Sequence, residues 1–313
     1  MADPVPARLG LGTAQLGSDY GVANQGSGRG ESAAEALLRT AGRGGVGFLD
    51  TAPGYGPSED LVGRLRPRDW PVRIVTKTPV FSADRLTRDD GRRLIKVAEQ
   101  SCARLGMSSV HGLLVHHGTN LLKPGFEHLV DALAEVKARG LARNVGYSAY
   151  APREVEEIAR HFTPDIVQLP LNLLDQRILR SGTLAALGRA GVEVHVRSVM
   201  LQGLLAMDIV RLPEFFAAVQ GHLGALHGWL DDQGVGILEA CLGFVLGQAG
   251  VSAAIIGGDD AAQFESTLAA AADGRARALD YGQWAISDER ILNPSAWPSK
   301  EALNLDQPLK EAR

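Results

Sequence analysis

Short apolar runs alternate eight times with longer amphipathic stretches along this chain, and this alternation limits the folds open to it. Runs rich in valine, isoleucine and leucine are typical of buried parallel strands, and the amphipathic stretches are typical of helices packed on a sheet. The predicted strands are Leu9–Gly12, Gly47–Asp50, Arg73–Thr76, Gly112–His116, Asn144–Ser148, Ile166–Leu169, Val192–Arg197 and Ala253–Ile256. The predicted helices are Glu31–Arg43, Ser58–Leu65, Asp89–Leu105, Gly125–Arg139, Pro152–Arg160, Ile178–Ala190, Val235–Gln248 and Ala261–Ala271.

Eight strand–helix units without a glycine-rich linker predict an α/β fold, a single-domain (β/α)8 TIM barrel that spans residues 1–313. The alternative is a doubly wound open sheet, which usually carries a G-x-G-x-x-G turn after its first strand. The glycines of that region, Gly10, Gly12 and Gly17, have a different spacing. Long loops are predicted after strands one and seven, at Gly17–Gly30 and at Ser198–Gly234, the latter with short helical pieces. A C-terminal extension begins at about residue 281, and the sequence leaves open whether it wraps the barrel, closes over the active site or is partly disordered.

The composition is that of an ordinary soluble globular protein, with 45% hydrophobic and 22% charged residues. The formal net charge is -4 and no basic block or stripe occurs, so we expect neither a nucleic-acid nor a membrane partner. Neither a signal peptide nor a run of about 18 apolar residues is present, which predicts a cytoplasmic protein. Cys102 and Cys241 lie in predicted helices without a metal-binding spacing, so both are predicted to be buried free thiols.

Four polar residues follow the second, third and fourth predicted strands, namely Asp50, Tyr55, Lys77 and His116. The carboxyl ends of barrel strands form the catalytic face, so these side chains are expected to converge there. Reduction of an aldehyde or ketone needs a hydride on carbon and a proton on oxygen. A phenol with a pKa of about 10 is a weak acid at neutral pH, and an adjacent ammonium lowers the pKa of such a phenol. We therefore expect Tyr55 beside Lys77, Lys77 held by Asp50, and a neutral His116 that donates a hydrogen bond to the carbonyl oxygen.

Each of these residues alone has a simpler explanation. An aspartate at a strand end often caps a loop, a lone lysine is often solvated, and the pair His116–His117 has the composition of a structural pair or of weak metal ligands. No further histidine or acid stands at a metal-binding spacing from that pair, so no metal site is predicted. The occurrence of all four residues at successive strand ends favours a catalytic group.

The motifs around these residues resemble those of the aldo-keto reductases, from about Leu9 to Ala271. The segment from Asp50 to Glu59 resembles the D-T-A-x-x-Y-G-x-S-E signature of that family, and Val75–Lys77 resembles its lysine strand. Leu113–His116 resembles its histidine strand, and Val145–Ser148 resembles its G-x-S-N strand. The resemblance implies a (β/α)8 barrel, a nicotinamide cofactor and carbonyl reduction with Tyr55 as the general acid. The strand register favours His116 over His117 as the histidine.

The resemblance also implies a cofactor site on the same face. It matches Ser148 and Gln168 with the ligands of the nicotinamide carboxamide, and the loop at Ser198 with the pyrophosphate. Gln263 and Thr267 match the adenosine end, although this stretch is also consistent with a plain phosphate site at a helix N-terminus. The complete predicted cofactor set is Gly12, Thr13, Asp50, Ser148, Gln168, Arg197, Ser198, Gln202, Gly203, Gly257, Gln263 and Thr267.

Three places depart from the family pattern. Ala149 stands where an asparagine is usual, and Arg197 stands where an aromatic residue usually stacks on the nicotinamide ring. Gln263 and Thr267 replace an arginine and an asparagine at the adenosine end. The loss of that arginine removes a strong partner for the 2′-phosphate group, which weakens the case for a strict preference for NADPH. NADPH is the predicted cofactor, and NADH stays open.

Asp19, Tyr20 and His117 are predicted to rim the substrate pocket together with Gln202, although solvation in a loop explains each equally well. A polar rim favours a hydroxylated substrate such as a sugar. The sequence therefore predicts an NAD(P)H-dependent oxidoreductase, a monomer or small homo-oligomer, that acts on a small-molecule carbonyl or on the corresponding alcohol. Two other classes stay open, which are a nicotinamide-binding sensor or regulatory subunit with little catalysis, and a lyase that forms a Schiff base through Lys77.

Overall fold

The computed structural model describes residues 5–17, 30–299 and 302–303. The strands are β1 (Leu9–Gly12), β2 (Phe48–Asp50), β3 (Arg73–Lys77), β4 (Val110–Val115), β5 (Ala142–Ser148), β6 (Ile166–Pro170), β7 (Glu193–Arg197) and β8 (Ala253–Gly257). They are all parallel and form one closed barrel in chain order, as the sequence predicted. The barrel closes where β1 pairs with β8, with Leu11 opposite Ile256.

Helices surround the barrel and differ from the prediction in two places. The predicted helix Ile178–Ala190 is divided in two, because Gly182 has a φ of +75° and takes the left-handed conformation that favours glycine. The loop after β7 contains a helix of 16 residues instead of short helical pieces alone. The helices are α1 (Glu31–Arg43), α2 (Ser58–Leu65), α3 (Arg88–Leu105), α4 (Glu127–Ala138), α5 (Pro152–Ile158), α6 (Arg177–Arg180), α7 (Thr183–Arg189), α8 (Ala217–Asp232), α9 (Ile237–Gly247), α10 (Ala261–Ala272) and α11 (Glu289–Leu292).

The barrel interior has an apolar layer beneath a polar layer. Phe48 and Val75 belong to a buried apolar cluster inside the barrel. Side chains two positions apart share one face of a strand, so Asp50 and Lys77 point to the same interior, closer to the carboxyl ends. The alternation of β2 and β3 therefore delivers an acid and a base to the end of the barrel where barrel enzymes keep their chemistry.

The amino-terminal end of the interior holds a second polar cluster. The carboxylate of Glu193 forms hydrogen bonds with Nε2 of His195 at 2.6 Å and with Nε2 of His111 at 3.0 Å. The Phe48 ring meets the His195 ring edge to face at 4.6 Å, and the Arg73 guanidinium lies 3.8 Å from the centre of the Phe48 ring. Burial alone raises the pKa of Glu193, but the hydrogen bonds from the two histidines outweigh it and lower this pKa below its ordinary value.

The described part of the C-terminal extension packs beside α8 and the loop after β6. Ile291 and Leu292 of α11 are buried, and the Trp297 ring meets the Phe216 ring edge to face at 4.8 Å. The backbone N–H of Ile286 donates to the carbonyl of Leu174 at 3.0 Å. Elsewhere in the chain, Cys102 and Cys241 are buried free thiols, as predicted.

Candidate active site

Three of the four predicted catalytic residues leave the ends of β2, β3 and β4, and Tyr55 lies in the loop between β2 and α2. The ammonium of Lys77 donates to Oδ2 of Asp50 at 2.6 Å and to the carbonyl of Thr51 at 3.1 Å. The Lys77 ammonium also lies 5.2 Å from the centre of the Tyr55 ring. The Tyr55 and His116 rings meet edge to face with their centroids 5.9 Å apart. The predicted group of four is thus assembled in one place.

Electrostatic effects set the charge of two of these groups in opposite directions. Burial lowers the pKa of Lys77, but the Asp50 carboxylate and Tyr55 outweigh burial and raise it above its ordinary value. Burial and then the Lys77 ammonium lower the pKa of His116 to about 3. Lys77 is therefore a protonated cation at neutral pH, whereas His116 is a neutral imidazole.

The loop that carries Tyr55 is fixed by the serine of the signature motif. The Ser58 hydroxyl lies 2.7 Å from the Thr13 hydroxyl and 3.1 Å from the Thr51 hydroxyl, all three buried. The N–H of Tyr55 donates to the carbonyl of Ala52 at 3.0 Å. A side chain at Gly17 would meet the Tyr55 carbonyl oxygen at 1.8 Å, so only glycine permits this close approach of the two loops. The motif serine thus ties the ends of β1 and β2 to the start of α2.

The glutamate of the same motif is also structural. Glu59 is 1% exposed, and its carboxylate accepts hydrogen bonds from the Thr76 hydroxyl at 2.6 Å and from Nε of Arg104 at 2.8 Å. Thr76 precedes Lys77 in β3 and points to the opposite face of the strand. Glu59 therefore fixes β3 from the outside of the barrel, one residue before the lysine.

Gln168 reaches the same site from β6. Its side-chain nitrogen donates to Oδ1 of Asp50 at 2.8 Å, and its Cα is in register with Ser148 on β5. The Oε1 atom of Gln168 is buried and accepts no hydrogen bond from the residues that the structure describes. Because a buried acceptor without a donor is costly, this atom fits a ligand that offers an N–H group, such as the carboxamide of nicotinamide.

A cavity of about 310 Å³ lies over these residues, and most of the predicted cofactor residues line it. It extends from the barrel interior, where Asp50 and Gln168 lie, to the outer helix α10, which contributes Gln263 and Thr267. The predicted residues that line it are Gly12, Thr13, Asp50, Tyr55, Gln168, Arg197, Ser198, Gln202, Gly203, Gly257, Gln263 and Thr267.

The other predicted residues have different positions. Lys77 and Ser148 are 2% and 3% exposed and do not line the cavity. His116 also does not line the cavity, although its ring contacts that of Tyr55. His117 is exposed, with its ring 5.2 Å from that of His116. The predictions for Asp19 and Tyr20 lie outside the described residues.

Sequence reasoning missed several residues of the cavity wall, above all Gln15 and Asp259. The side chain of Gln15 packs against Gly257, where an added Cβ would meet its nitrogen at 2.1 Å. Oδ1 of Asp259 is buried and lacks a hydrogen-bond partner among the described residues. The acidic pair Asp259-Asp260 after two glycines was the available signal for the latter. The further residues missed are Ala14, Val199, Met200, Ala206, Leu238, Ile255 and Ile256.

Arg197 is held by the last residue of β5 and by the two residues that follow this strand. Its guanidinium lies 4.2 Å from the centre of the Tyr150 ring and donates to the carbonyl of Ala149 at 3.1 Å. Nε of Arg197 also lies 3.4 Å from the Ser148 hydroxyl. Among the described residues no carboxylate lies within ion-pair distance of this guanidinium, although Glu154 interacts with it electrostatically. Arg197 therefore brings a positive charge to the cavity wall.

The loop after β7 is strained where it borders the cavity. Ser198, Leu201 and Gln202 have φ angles of 58°, 46° and 54°, in the left-handed region that side chains rarely adopt. The carbonyl of Ser198 accepts hydrogen bonds from the Leu201 N–H at 2.8 Å and from the side-chain nitrogen of Asn172 at 3.1 Å. Strain of this kind is concentrated at functional sites.

Two kinds of site are absent from the part of the chain that the structure describes. There is no group of three or more histidine, cysteine, aspartate or glutamate side chains that could hold a metal ion. No described helix combines the length and the apolar character that crossing a membrane requires.

Comparison with known proteins agrees with this geometry. The chain belongs to the aldo/keto reductase family, whose model matches residues 8–288. An NADH-specific methylglyoxal reductase of Escherichia coli (strain K12) is 28% identical over 225 residues, which cover 66% of this chain and 67% of that protein. The aldo-keto reductase YhdN of Bacillus subtilis (strain 168) is 27% identical over 183 residues, or 56% of this chain and 53% of that protein.

A solved structure extends the comparison to nearly the whole chain. An aldo-keto reductase of Bacillus halodurans, in its holo form, has a TM-score of 0.69 and 19% sequence identity. The match covers 97% of this chain and 94% of that chain. At this identity the likeness concerns the fold, and it confirms the (β/α)8 barrel. Members of the family are oxidoreductases that use nicotinamide cofactors on carbonyl compounds.

Proposed function

We propose that this protein is a nicotinamide-dependent oxidoreductase that reduces an aldehyde or ketone, or oxidises the corresponding alcohol, with Tyr55 as the general acid. The observation that carries the proposal is the buried ion pair of Lys77 and Asp50 beside the Tyr55 ring. This pair lies at the wall of a cavity whose orphan acceptor, on Gln168, suits a carboxamide.

Each residue of the group has one task in this proposal. A bound nicotinamide supplies the hydride. Tyr55 donates its proton to the carbonyl oxygen, and the nearby Lys77 cation stabilises the phenolate that this leaves behind. Asp50 holds Lys77 in place through one carboxylate oxygen and Gln168 through the other. The neutral imidazole of His116 donates a hydrogen bond that orients the carbonyl oxygen.

The arrangement of Lys77 argues against a Schiff-base lyase. A lysine nucleophile needs a free amine, which enzymes obtain by lowering the pKa of the ammonium. Asp50 and Tyr55 instead raise the pKa of Lys77, and two oxygen acceptors hold its ammonium. The presence of all four catalytic residues equally argues against a regulatory subunit with little catalysis.

The proposal also covers the substrate class, the cellular location and the oligomeric state of the protein. A polar carbonyl compound, such as a sugar or a small dicarbonyl, suits a wall that carries Arg197 and Gln202. The E. coli relative named for methylglyoxal reduction is consistent with a small polar substrate, and its NADH specificity leaves the predicted NADPH unsupported by that comparison. We also propose a cytoplasmic monomer or small homo-oligomer, for which light scattering on the purified protein is the test of assembly.

The decisive experiment follows nicotinamide absorbance during turnover of sugar, dicarbonyl and lipophilic carbonyl compounds. We expect Tyr55→Phe to bind cofactor like the wild type and to lose turnover by about 100- to 10,000-fold, the usual range for a general acid. Tyr281→Phe is the matched control, because the Tyr281 hydroxyl donates to the carbonyl of Ala276 and Tyr281 does not line the cavity. Undiminished turnover by Tyr55→Phe would reject the assigned acid. Cofactor binding without turnover of any carbonyl or alcohol would favour the regulatory subunit.

A further inference from the structure

We infer that Asp259 makes the cavity selective for NADH over NADPH, because its carboxylate accepts a ribose hydroxyl and repels the 2′-phosphate that distinguishes NADPH. The inference rests on the proposed function and adds a cofactor preference to it, at the end of the cavity where α10 begins. It also reverses the cofactor that the sequence alone favoured, since the role of Asp259 was not foreseen there.

The position of Asp259 follows from the helix that it precedes. Asp259, Gln263 and Thr267 are spaced four residues apart, so they lie on one side of α10 and the turn before it. All three line the cavity. The Thr267 hydroxyl donates to the carbonyl of Gln263 at 3.2 Å, and Thr267 is 3% exposed. This side of α10 therefore forms the wall against which the adenosine part of a dinucleotide can bind.

One carboxylate oxygen of Asp259 has no hydrogen-bond donor among the described residues. Oδ1 is buried and accepts no hydrogen bond from the residues that the structure describes. A buried carboxylate oxygen without a donor is costly, and a hydroxyl group removes that cost. In dinucleotide sites of another fold, an acidic residue that accepts the ribose 2′-hydroxyl selects NAD in the same physical way.

Two amides around the start of α10 have acceptors within the protein. The N–H of Asp259 donates to Oε1 of the Gln263 side chain at 2.6 Å. The N–H of Gln263 donates to Oδ1 of Asp260, which caps α10, at 2.8 Å. The amide of Gln263, at the third position of α10, is therefore bound to the capping residue and not available to a phosphate group in the cavity.

No cation compensates for Asp259 among the described residues of the cavity wall. The one basic side chain among the described residues that line the cavity is Arg197, which lies at the nicotinamide end, held at the Ala149 carbonyl and against Tyr150. A 2′-phosphate carries close to two negative charges at neutral pH. It would face the Asp259 carboxylate without a partner, whereas a hydroxyl in the same place gains an acceptor.

The test compares dissociation constants of NADH and NADPH, measured by quenching of protein fluorescence. We expect the wild type to bind NADH at least about tenfold more tightly than NADPH. Asp259→Asn keeps the shape and removes the charge, so NADPH binding should tighten, NADH binding should weaken, and the preference should shrink by about tenfold or more. Adding Gln263→Arg to Asp259→Asn should then favour NADPH, because the guanidinium supplies the missing phosphate partner.

Asp260→Asn is the matched control. It removes the same charge one residue away, outside the cavity wall, and asparagine caps a helix as well as aspartate does. The preference should therefore stay within about twofold of the wild type. Equal or tighter binding of NADPH by the wild type would overturn the inference, and so would an equal effect of the two substitutions. Failure of both dinucleotides to bind would instead reject the proposed function.

Discussion

The side-chain amide of Gln168 on β6 donates across the barrel to the carboxylate of Asp50 on β2, at 2.8 Å. These strands are not neighbours in the barrel. The second oxygen of Asp50 accepts from Lys77 at 2.6 Å. Both carboxylate oxygens therefore have fixed partners, and three strands are joined through one acid at the base of the cavity. A change at Asp50 acts on stability and on catalysis together.

Asp50→Asn will leave the buried Lys77 ammonium without its counter-charge. Loss of one partner of a buried ion pair costs about 3–5 kcal/mol, so the free energy of unfolding will fall by about that amount in urea titration. Turnover will fall with it, because the asparagine no longer holds the cation beside Tyr55. Asp60→Asn on α2 is the control, since Asp60 is exposed. A change of less than about 1 kcal/mol at Asp50 would contradict the role of this pair.

Gln168→Leu will weaken cofactor binding, because the substitution removes the acceptor that suits a carboxamide. We expect the dissociation constant of the preferred dinucleotide to rise by about tenfold, the effect of about 1.4 kcal/mol. Gln176→Leu is the control, because it makes the same substitution at a buried glutamine that does not line the cavity. Gln176 donates to the carbonyls of Leu173 and Tyr281. Gln176→Leu will lower stability and leave the dissociation constant unchanged. Unchanged binding by Gln168→Leu would remove Gln168 from the site.

His116 will not titrate in the physiological range, since burial and the Lys77 ammonium lower its pKa to about 3. Its depressed pKa means that the folded protein binds fewer protons than the unfolded chain between pH 3 and pH 6.5, so His116 destabilises the fold as pH falls through that window. NMR of the ring nitrogens, with His116→Gln to assign the signal, tests this directly. A ring protonated near pH 6 would contradict the assignment of a neutral imidazole.

Glu193→Gln will lower stability without affecting turnover, because the cluster of Glu193, His111 and His195 lies at the amino-terminal end of the barrel. The lowered pKa of Glu193 contributes stability above its ordinary value of 4.5, and this contribution disappears as pH falls through the folded-state pKa. We expect a loss of about 2–3 kcal/mol at pH 7 that shrinks in acid. Glu127→Gln, at an exposed position of α4, will show no such loss. A pH-independent difference would show that packing and not charge is responsible.

The sequence could predict the barrel and the catalytic group because both depend on local patterns. Asp50 and Lys77 end apolar runs, and the parallel arrangement alone brings such ends together. Glu59 was visible in the motif, but its contact with Arg104 on α3 depends on helix packing. Asp259 was likewise visible, beside Asp260 after two glycines, but its place in the wall depends on how α10 is rotated. The division of the helix at Gly182 was missed because glycine is compatible with both a continuous and a broken helix.

The three left-handed residues of the loop after β7 have a consequence for how the protein withstands heat. A non-glycine residue in this conformation costs roughly 1–2 kcal/mol. Ser198, Leu201 and Gln202 together therefore lower the free energy of unfolding by several kcal/mol. Unfolding recovers that free energy, so the strain favours local opening of this loop. Selection for thermal stability would therefore introduce glycine at these positions, and it would do so at the expense of the side chains that border the cavity.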